Sequence, residues 1–200
     1  MSTRPGDNHP RMDRRAAMHT LLAKRDGLLL VTGLGSTNYD AAAVGDNDAN
    51  FYLWGAMGGA AMIGLGLALA QPKLKVAVIT GDGEMLMGMG SLATIGVQRP
   101  GNLAVIVFDN QHYGETGMQA SHTGEGVDLV GVAKSCGIAR AYEVTDEAGL
   151  KKLAGDLGAL KETLFARVRI AADEPQRVLP SKDGVELKLR FRRAVQAAAG

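Results

Sequence analysis

The 200-residue chain has a single cysteine, so no internal disulfide can form. That residue, Cys136, lies between Ser135 and Gly137 and reads as a buried helix end rather than a reactive thiol. No His/Cys cluster has the spacing of a zinc site. Charge of one sign is also missing: the formal net charge is +1, without a long block of like charge. The electrostatic footprint of a non-specific nucleic-acid binder is therefore absent. Long apolar runs are scarce too. The longest, residues 57–70, is broken by Gly58, Gly59, Gly64 and Gly66, and a bilayer span needs about 20 residues. Residues 1–10 are polar, contain proline and have no apolar core of the kind a signal peptide needs. A soluble, cytoplasmic protein is expected, with neither nucleic acid nor membrane as partner.

Hydrophobic residues make up 46% of the chain, enough to bury a core of one ordinary domain. Glycine is abundant, with 27 residues clustered at strand-to-helix junctions, where backbone packs closely against something such as a ligand. Short apolar runs at 28–31, 51–54, 75–79, 103–108, 141–144 and 163–170 read as strands. Helix-period segments at 56–70, 85–97, 128–135 and 145–160 alternate with them, and Asp128 is a plausible N-cap. Continuous apolar strands separated by helices imply an α/β fold, a doubly wound parallel sheet covered on both faces. The expected organisation is a flexible tail over 1–11, one cofactor-sized domain over 12–174 and a C-terminal docking tail over 175–200. Residues 188–193 of that tail form a basic surface or docking helix.

Doubly wound sheets bind ligands beyond the carboxyl ends of their strands. Gly81-Asp82-Gly83 follows a strong strand, and its carboxylate faces that crevice between two glycines that let backbone N–H groups approach an anion. Asn110 follows the next strong strand. A right-handed strand–helix–strand crossover makes the two strand ends neighbours. The oxygens of Asp82 and Asn110 then converge, which suits Mg²⁺, a cation that takes few protein ligands and completes its shell with phosphate and water. The loop Gly33-Leu34-Gly35-Ser36 carries candidate contacts for a far phosphate, above all Gly35 and Ser36. Gly33-x-Gly35 also matches half a dinucleotide fingerprint, but Asn38 replaces the third glycine and no acid stands about 20 residues on.

Gly81-Asp82-Gly83 followed by Asp109-Asn110 resembles the diphosphate motif of thiamine-diphosphate enzymes, over roughly residues 28–170. The resemblance implies thiamine diphosphate and Mg²⁺ as cofactors. Its metal ligands would be Asp82, Asn110 and the backbone carbonyl of His112. Gly81, Gly83, Glu84, Tyr113 and Gly114 are further cofactor-binding candidates. Leu53-Trp54-Gly55-Ala56-Met57-Gly58 is similar to the family segment that holds the middle of the cofactor. Gly55 would then accept a hydrogen bond from the aminopyrimidine, and Met57 would wedge the two rings into a bent shape; the plainer reading of Met57 is core packing. An acid at Glu84 also occurs in transketolase-like members, and its side chain is expected to turn away and cap its own helix dipole.

Asn50-Phe51-Tyr52, Gly55-Ala56-Met57-Gly58, Asp109-Asn110, Tyr113-Gly114 and Thr116-Gly117 resemble the 2-oxoacid decarboxylase branch. Within it they are similar to sulfopyruvate decarboxylase beta subunits and the C-terminal part of phosphonopyruvate decarboxylase, as is the tail 182–192. This implies a lyase acting on a small 2-oxoacid, although Glu115 could repel a sulfonate or phosphonate. It also implies that the activating glutamate comes from a pyrimidine-binding alpha-type partner subunit, in a hetero-oligomer with at least two copies of each. The partner face is expected around residues 51–54 and 58–70. His122 is either a proton shuttle or a solvated loop histidine. Two alternatives stay open: transketolase- or acetolactate-synthase-like carbon–carbon transfer, and a non-catalytic nucleotide- or cofactor-binding regulatory domain.

Overall fold

A computed structural model describes residues 11–25 and 27–200; nearly all of the expected N-terminal tail lies outside the described residues. The chain runs α1 (Arg14–Leu22), β1 (Leu29–Thr32), α2 (Ser36–Val44), β2 (Asn50–Tyr52), α3 (Ala60–Ala70) and β3 (Val76–Gly81). It continues through α4 (Asp82–Met87), α5 (Ser91–Gln98), β4 (Leu103–Asp109) and a two-stranded hairpin of β5 (His112–Tyr113) and β6 (Gln119–Ala120). Last come α6 (Leu129–Ser135), β7 (Arg140–Val144), α7 (Glu147–Gly158), β8 (Leu164–Arg169) and α8 (Gly184–Ala199). Six strands form one sheet in the order β2-β1-β3-β4-β8-β7, and every pairing within it is parallel.

Alternation along β4 shows why both faces are covered. Ala104, Ile106 and Phe108 join a core with Met18 and Leu21 of α1 and Leu150 and Leu153 of α7. Leu103, Val105 and Val107 join a second core with Leu65 of α3, Leu92 and Ile95 of α5 and Leu129 of α6. All seven residues of β4 are buried. A strand with no polar alternation is what a two-faced parallel sheet requires. No described helix is long and apolar enough to cross a membrane.

Three expected elements differ. The segment expected as one helix over 85–97 is two, α4 and α5, parted at 88–90. A Cβ on Gly88 would lie 2.2 Å from the carbonyl oxygen of Gly58, so the chain before α3 presses against this break, backbone on backbone. The helix expected from residue 56 starts at Ala60, because Ala56 (φ 52°) and Gly58 (φ 89°) adopt left-handed conformations. Asp128 stands at the N-cap of α6, but its side chain makes no capping hydrogen bond.

The C-terminal segment is part of this domain. Leu187 is buried in the first core, Phe191 and Val195 pack on the second, and Phe51 meets Phe191 at 5.4 Å between ring centroids. Arg190 pairs with Asp46 through two 2.7 Å contacts. Trp54 Nε1 donates to the Ser181 carbonyl at 2.7 Å. The tail thus lies along edge strand β2, whose open backbone would otherwise invite pairing with another chain. This corrects the expected partner face: residues 51–54 are occupied by the chain's own tail, while α3 still exposes Met62 and Leu69.

Candidate functional site

β3 and β4 pair in register with Gly81 opposite Phe108, so the chain leaves both strands at the same level. Asp82 and Asn110 follow at once and line one cleft of about 160 Å³. Asp82 opens α4, where the first-turn amides and the helix dipole favour negative charge. The Asn110 side-chain oxygen accepts from the His112 amide at 2.9 Å, which fixes its direction and leaves a lone pair for a cation. His112 Nδ1 lies 2.8 Å from the Asn110 carbonyl. A carbonyl can only accept, so Nδ1 carries the proton and the imidazole orients the loop.

The segment from 111 to 126 folds back over the strand ends. Ser121 donates to Asp82, and Thr123 Oγ1 lies 2.8 Å from Asp109 Oδ1 and 3.3 Å from Asp82 Oδ2. One hydroxyl thus bridges two carboxylates. Arg167 of β8 pairs with the other oxygen of Asp109. Asp109 is 0% exposed and turned away from the cleft, a structural residue. Burial pushes the Asp82 carboxyl up to about 6, and the charge of Asp109 adds to the shift.

Glu84 is buried as well, but it does not cap its own helix. Its carboxylate accepts from the Leu34 amide and the Thr80 hydroxyl, both at 2.9 Å, and from the Ala60 amide at 3.4 Å. It therefore ties the loop after β1 to β3 and to the start of α3. Burial raises its pKa, opposed by these donors. The acid expected to hint at a reaction is a cross-link in the scaffold.

At the other end of the cleft Met57 is 40% exposed. The Tyr113 ring packs against Gly83, where an added Cβ would meet it at 2.6 Å. Tyr113 Oη lies 2.7 Å from His122 Nδ1, on the exposed rim. Glu115 reaches toward Gly35, whose added Cβ would lie 2.7 Å from its Cγ, and stands 3.7 Å from Arg177.

The donor set fits a hard divalent cation held with a diphosphate. All the donors are oxygens, as Mg²⁺ prefers. The buried Asp82 charge is met by neutral hydroxyls, so a cation would relieve it. Among the described residues no group of three or more His, Cys, Asp or Glu could hold a metal.

Residues 34–166 match the family model described as thiamine pyrophosphate enzyme, C-terminal TPP binding domain, TPP being another name for thiamine diphosphate. The chain belongs to this family. The sulfopyruvate decarboxylase subunit beta of Methanocaldococcus jannaschii is 46% identical over 110 residues, 55% of this chain and 58% of that one. The subunit of the same name from Methanothermobacter thermautotrophicus is 31% identical over 187 residues, 94% of this chain and 97% of that one. A phosphonopyruvate decarboxylase of Streptomyces viridochromogenes is 42% identical over 144 residues, 71% of this chain and 36% of that enzyme. The chain thus spans less than two thirds of the first and last of these relatives. Benzoylformate decarboxylase from Polynucleobacter necessarius superposes with a TM-score of 0.67 at 20% identity, over 82% of this chain and 34% of that one, and so shares the fold.

Within this TPP-binding domain the structure brings most expected residues together. Ser36, Met57, Gly81, Asp82, Gly83 and Glu84 line the cleft from one side, and Asn110, His112, Tyr113 and Gly114 from the other. Gly35 borders it through Glu115. Gly55 and His122 stand outside the lining, His122 reaching it only through Tyr113. Three contributors were not foreseen: Arg14, Asp40 and Ser121. Arg14 could have been suspected from Asp13 as an N-cap before Ala17, Met18, Leu21 and Leu22, whose spacing marks a buried helix face that includes position 14. Ser121 left no signal, because only the return of the hairpin places it under Asp82.

Proposed function

We propose that this chain is the diphosphate-binding part of a thiamine-diphosphate- and Mg²⁺-dependent lyase that decarboxylates a small 2-oxoacid of the sulfopyruvate or phosphonopyruvate kind. The observation that carries the reading is the convergence of Asp82 and Asn110 on one cleft at paired strand ends. Membership of the family and the names of the relatives support it. Asp82, Asn110 and the His112 carbonyl would hold the metal, and Gly35 and Ser36 would meet the far phosphate. When bound, the cofactor supplies a nucleophilic carbon and an electron sink for the bond that breaks. The chain's own residues would orient it: Met57 would rest against the rings and Gly55 would accept from the pyrimidine, while the Ser121 and Thr123 hydroxyls steady Asp82.

The activating glutamate would come from a pyrimidine-binding partner. Asp82 is committed to the metal, Glu84 is locked into the scaffold by Leu34, Thr80 and Ala60, and Glu115 faces Gly35. Because Glu84 serves the scaffold, its presence no longer favours carbon–carbon transfer. The word beta in the relatives' names supports a two-subunit enzyme of this kind. The test is a screen of small 2-oxoacids, sulfopyruvate and phosphonopyruvate among them, with the chain alone and mixed with its partner. Carbon dioxide should be released only by the mixture, and a partner lacking its glutamate should assemble without turnover. Decarboxylation by the isolated chain would overturn the two-subunit reading. Ketol transfer in place of carbon dioxide release would overturn the lyase.

A further inference from the structure

A buried arginine stands in the cleft that the proposed function leaves unused. Arg14 lies at the start of α1, upstream of the segment that matches the family, and is 4% exposed. It lines the cleft together with Ser36, Asn110 and Glu115. Its Nε lies 2.9 Å from Asp40 Oδ2, and its Nη1 donates to the Asp173 carbonyl at 3.1 Å. The ion pair and the hydrogen bond together hold the guanidinium in the cleft wall. Asp40 is 1% exposed and also meets Arg15, at 3.2 Å. Two guanidinium groups therefore share one buried carboxylate; Arg15 is 28% exposed and reaches solvent, whereas Arg14 is buried in the wall of the cleft. Arg14 is thus a desolvated cation facing the cleft, where a bound anion would offset the cost of its burial.

The same space already attracts an anion. The Glu115 carboxylate lies against Gly35 at the start of α2, with an oxygen 2.8 Å from where a Cβ on Gly35 would stand, and Arg177 closes the rim 3.7 Å from its other oxygen. Gly35 has φ 85°, a conformation that glycine adopts without strain. An acidic side chain thus stands where the loop 33–36 would meet a phosphate. We propose that Arg14, held in place by Asp40, is the cation that receives the terminal phosphate of the diphosphate cofactor, and that Glu115 is its placeholder until the cofactor enters. A planar, permanently charged fork suits phosphate, and a fork already fixed by two contacts loses little freedom on binding it.

This inference rests on the thiamine-diphosphate reading, and one titration separates the two. The full chain with Mg²⁺ is titrated calorimetrically with thiamine diphosphate and with thiamine monophosphate, which lacks the terminal phosphate. Wild type should favour the diphosphate. Removing Arg14 leaves Asp40 paired with Arg15, so the main variant is the single substitution Arg14→Met, its fold checked by melting temperature. Its affinity for thiamine diphosphate should fall by about ten- to a hundredfold, the worth of a charged hydrogen bond. Affinity for the monophosphate should hardly move, and Arg14→Lys should recover part of the loss. Equal losses for both ligands would make Arg14 a structural residue, and unchanged diphosphate affinity would equally overturn the proposal. A wild-type chain that binds neither ligand, even when assembled with its partner, would instead sink the cofactor reading, before any variant is made.

Discussion

At one end of the cleft Asp82 and Asp109 are 2% and 0% exposed and joined by the hydroxyls of Ser121 and Thr123; at the other, Met57 is 40% exposed and a Cβ added to Gly55 would meet nothing within 4 Å. The first end is assembled from strands β3, β4 and β8 and the returning hairpin, all of this chain. The second is a turn with left-handed residues at Ala56 and Gly58, bare on its outer side. The contrast teaches that one half of the site is preformed and dry while the other is open, as the proposed two-subunit enzyme would require. Electrostatic grip needs donors fixed in a dry setting before the ligand arrives, and the buried strand ends supply that. Contacts with the rings can be completed later, by a second domain.

Breaking the finished end should have the largest effect. If Asp82 and Asn110 hold the metal as proposed, Asp82→Ala or Asn110→Ala would remove a ligand that the diphosphate cannot replace, and retention of thiamine diphosphate with Mg²⁺ should be lost in equilibrium dialysis. Unchanged retention in both variants would end the metal assignment. Asp109→Asn should be milder, since Asp109 faces Arg167 rather than the cleft.

The open end should respond in rate rather than in binding. Met57→Ala should fold normally, because the side chain is largely outside the core. If Met57 sets the angle between the rings, turnover of the assembled enzyme should fall by on the order of a hundredfold, as misplacement by about 1 Å can do. Binding should change far less. Equal losses in the two would make Met57 ordinary packing and erase the contrast between the ends.

A smaller effect probes how the finished end is held. Thr123→Val removes the hydroxyl shared by Asp82 and Asp109 while keeping the shape. Partners that orient metal ligands are worth about ten- to a hundredfold in metal affinity. Because Ser121 still holds Asp82, the Mg²⁺ requirement should rise by about tenfold, at the low end of that range. No change in a Mg²⁺ titration would mean that Ser121 suffices alone.

The sequence was legible where its physics is local. Every expected strand of the parallel sheet is present, because runs such as Val76–Gly81 and Leu103–Asp109 are apolar on both faces and end at the motif residues. Asp82 and Asn110 could be paired from the chain alone because neighbouring strands end together. Helix α2 was missed because its buried face includes Thr37, Asn38 and Asp40, which form no apolar stripe. The buried polar atoms are answered by distant groups, Asn38 by the Leu53 carbonyl at 2.8 Å and Asp40 by Arg14. Glu84 was misread for the same reason. Its donors at residues 34, 60 and 80 come from three separate segments, and no window along the sequence contains them.

The smallest expected effect lies away from both ends, at the tail. Arg190 is 8% exposed and meets Asp46 through both terminal nitrogens, while its guanidinium carbon lies 5.8 Å from the centre of the Tyr52 ring. Asp46 is bonded to Tyr52 as well, at 2.9 Å, so the pair clips α8 to edge strand β2. Arg190→Met keeps much of the apolar stem but removes the clip. Asp46 is partly exposed and stays solvated, so global stability should change little. Local protection should change more: hydrogen exchange at Asn50–Tyr52 and along α8 should quicken, because the tail opens more often than the whole domain unfolds. Cofactor affinity should stay within about twofold, since neither residue lines the cleft. If exchange stays slow, Phe191 and Val195 hold the tail without help. If cofactor binding collapses instead, the tail supports the cleft, and the division between a finished end and a separate edge cover does not stand.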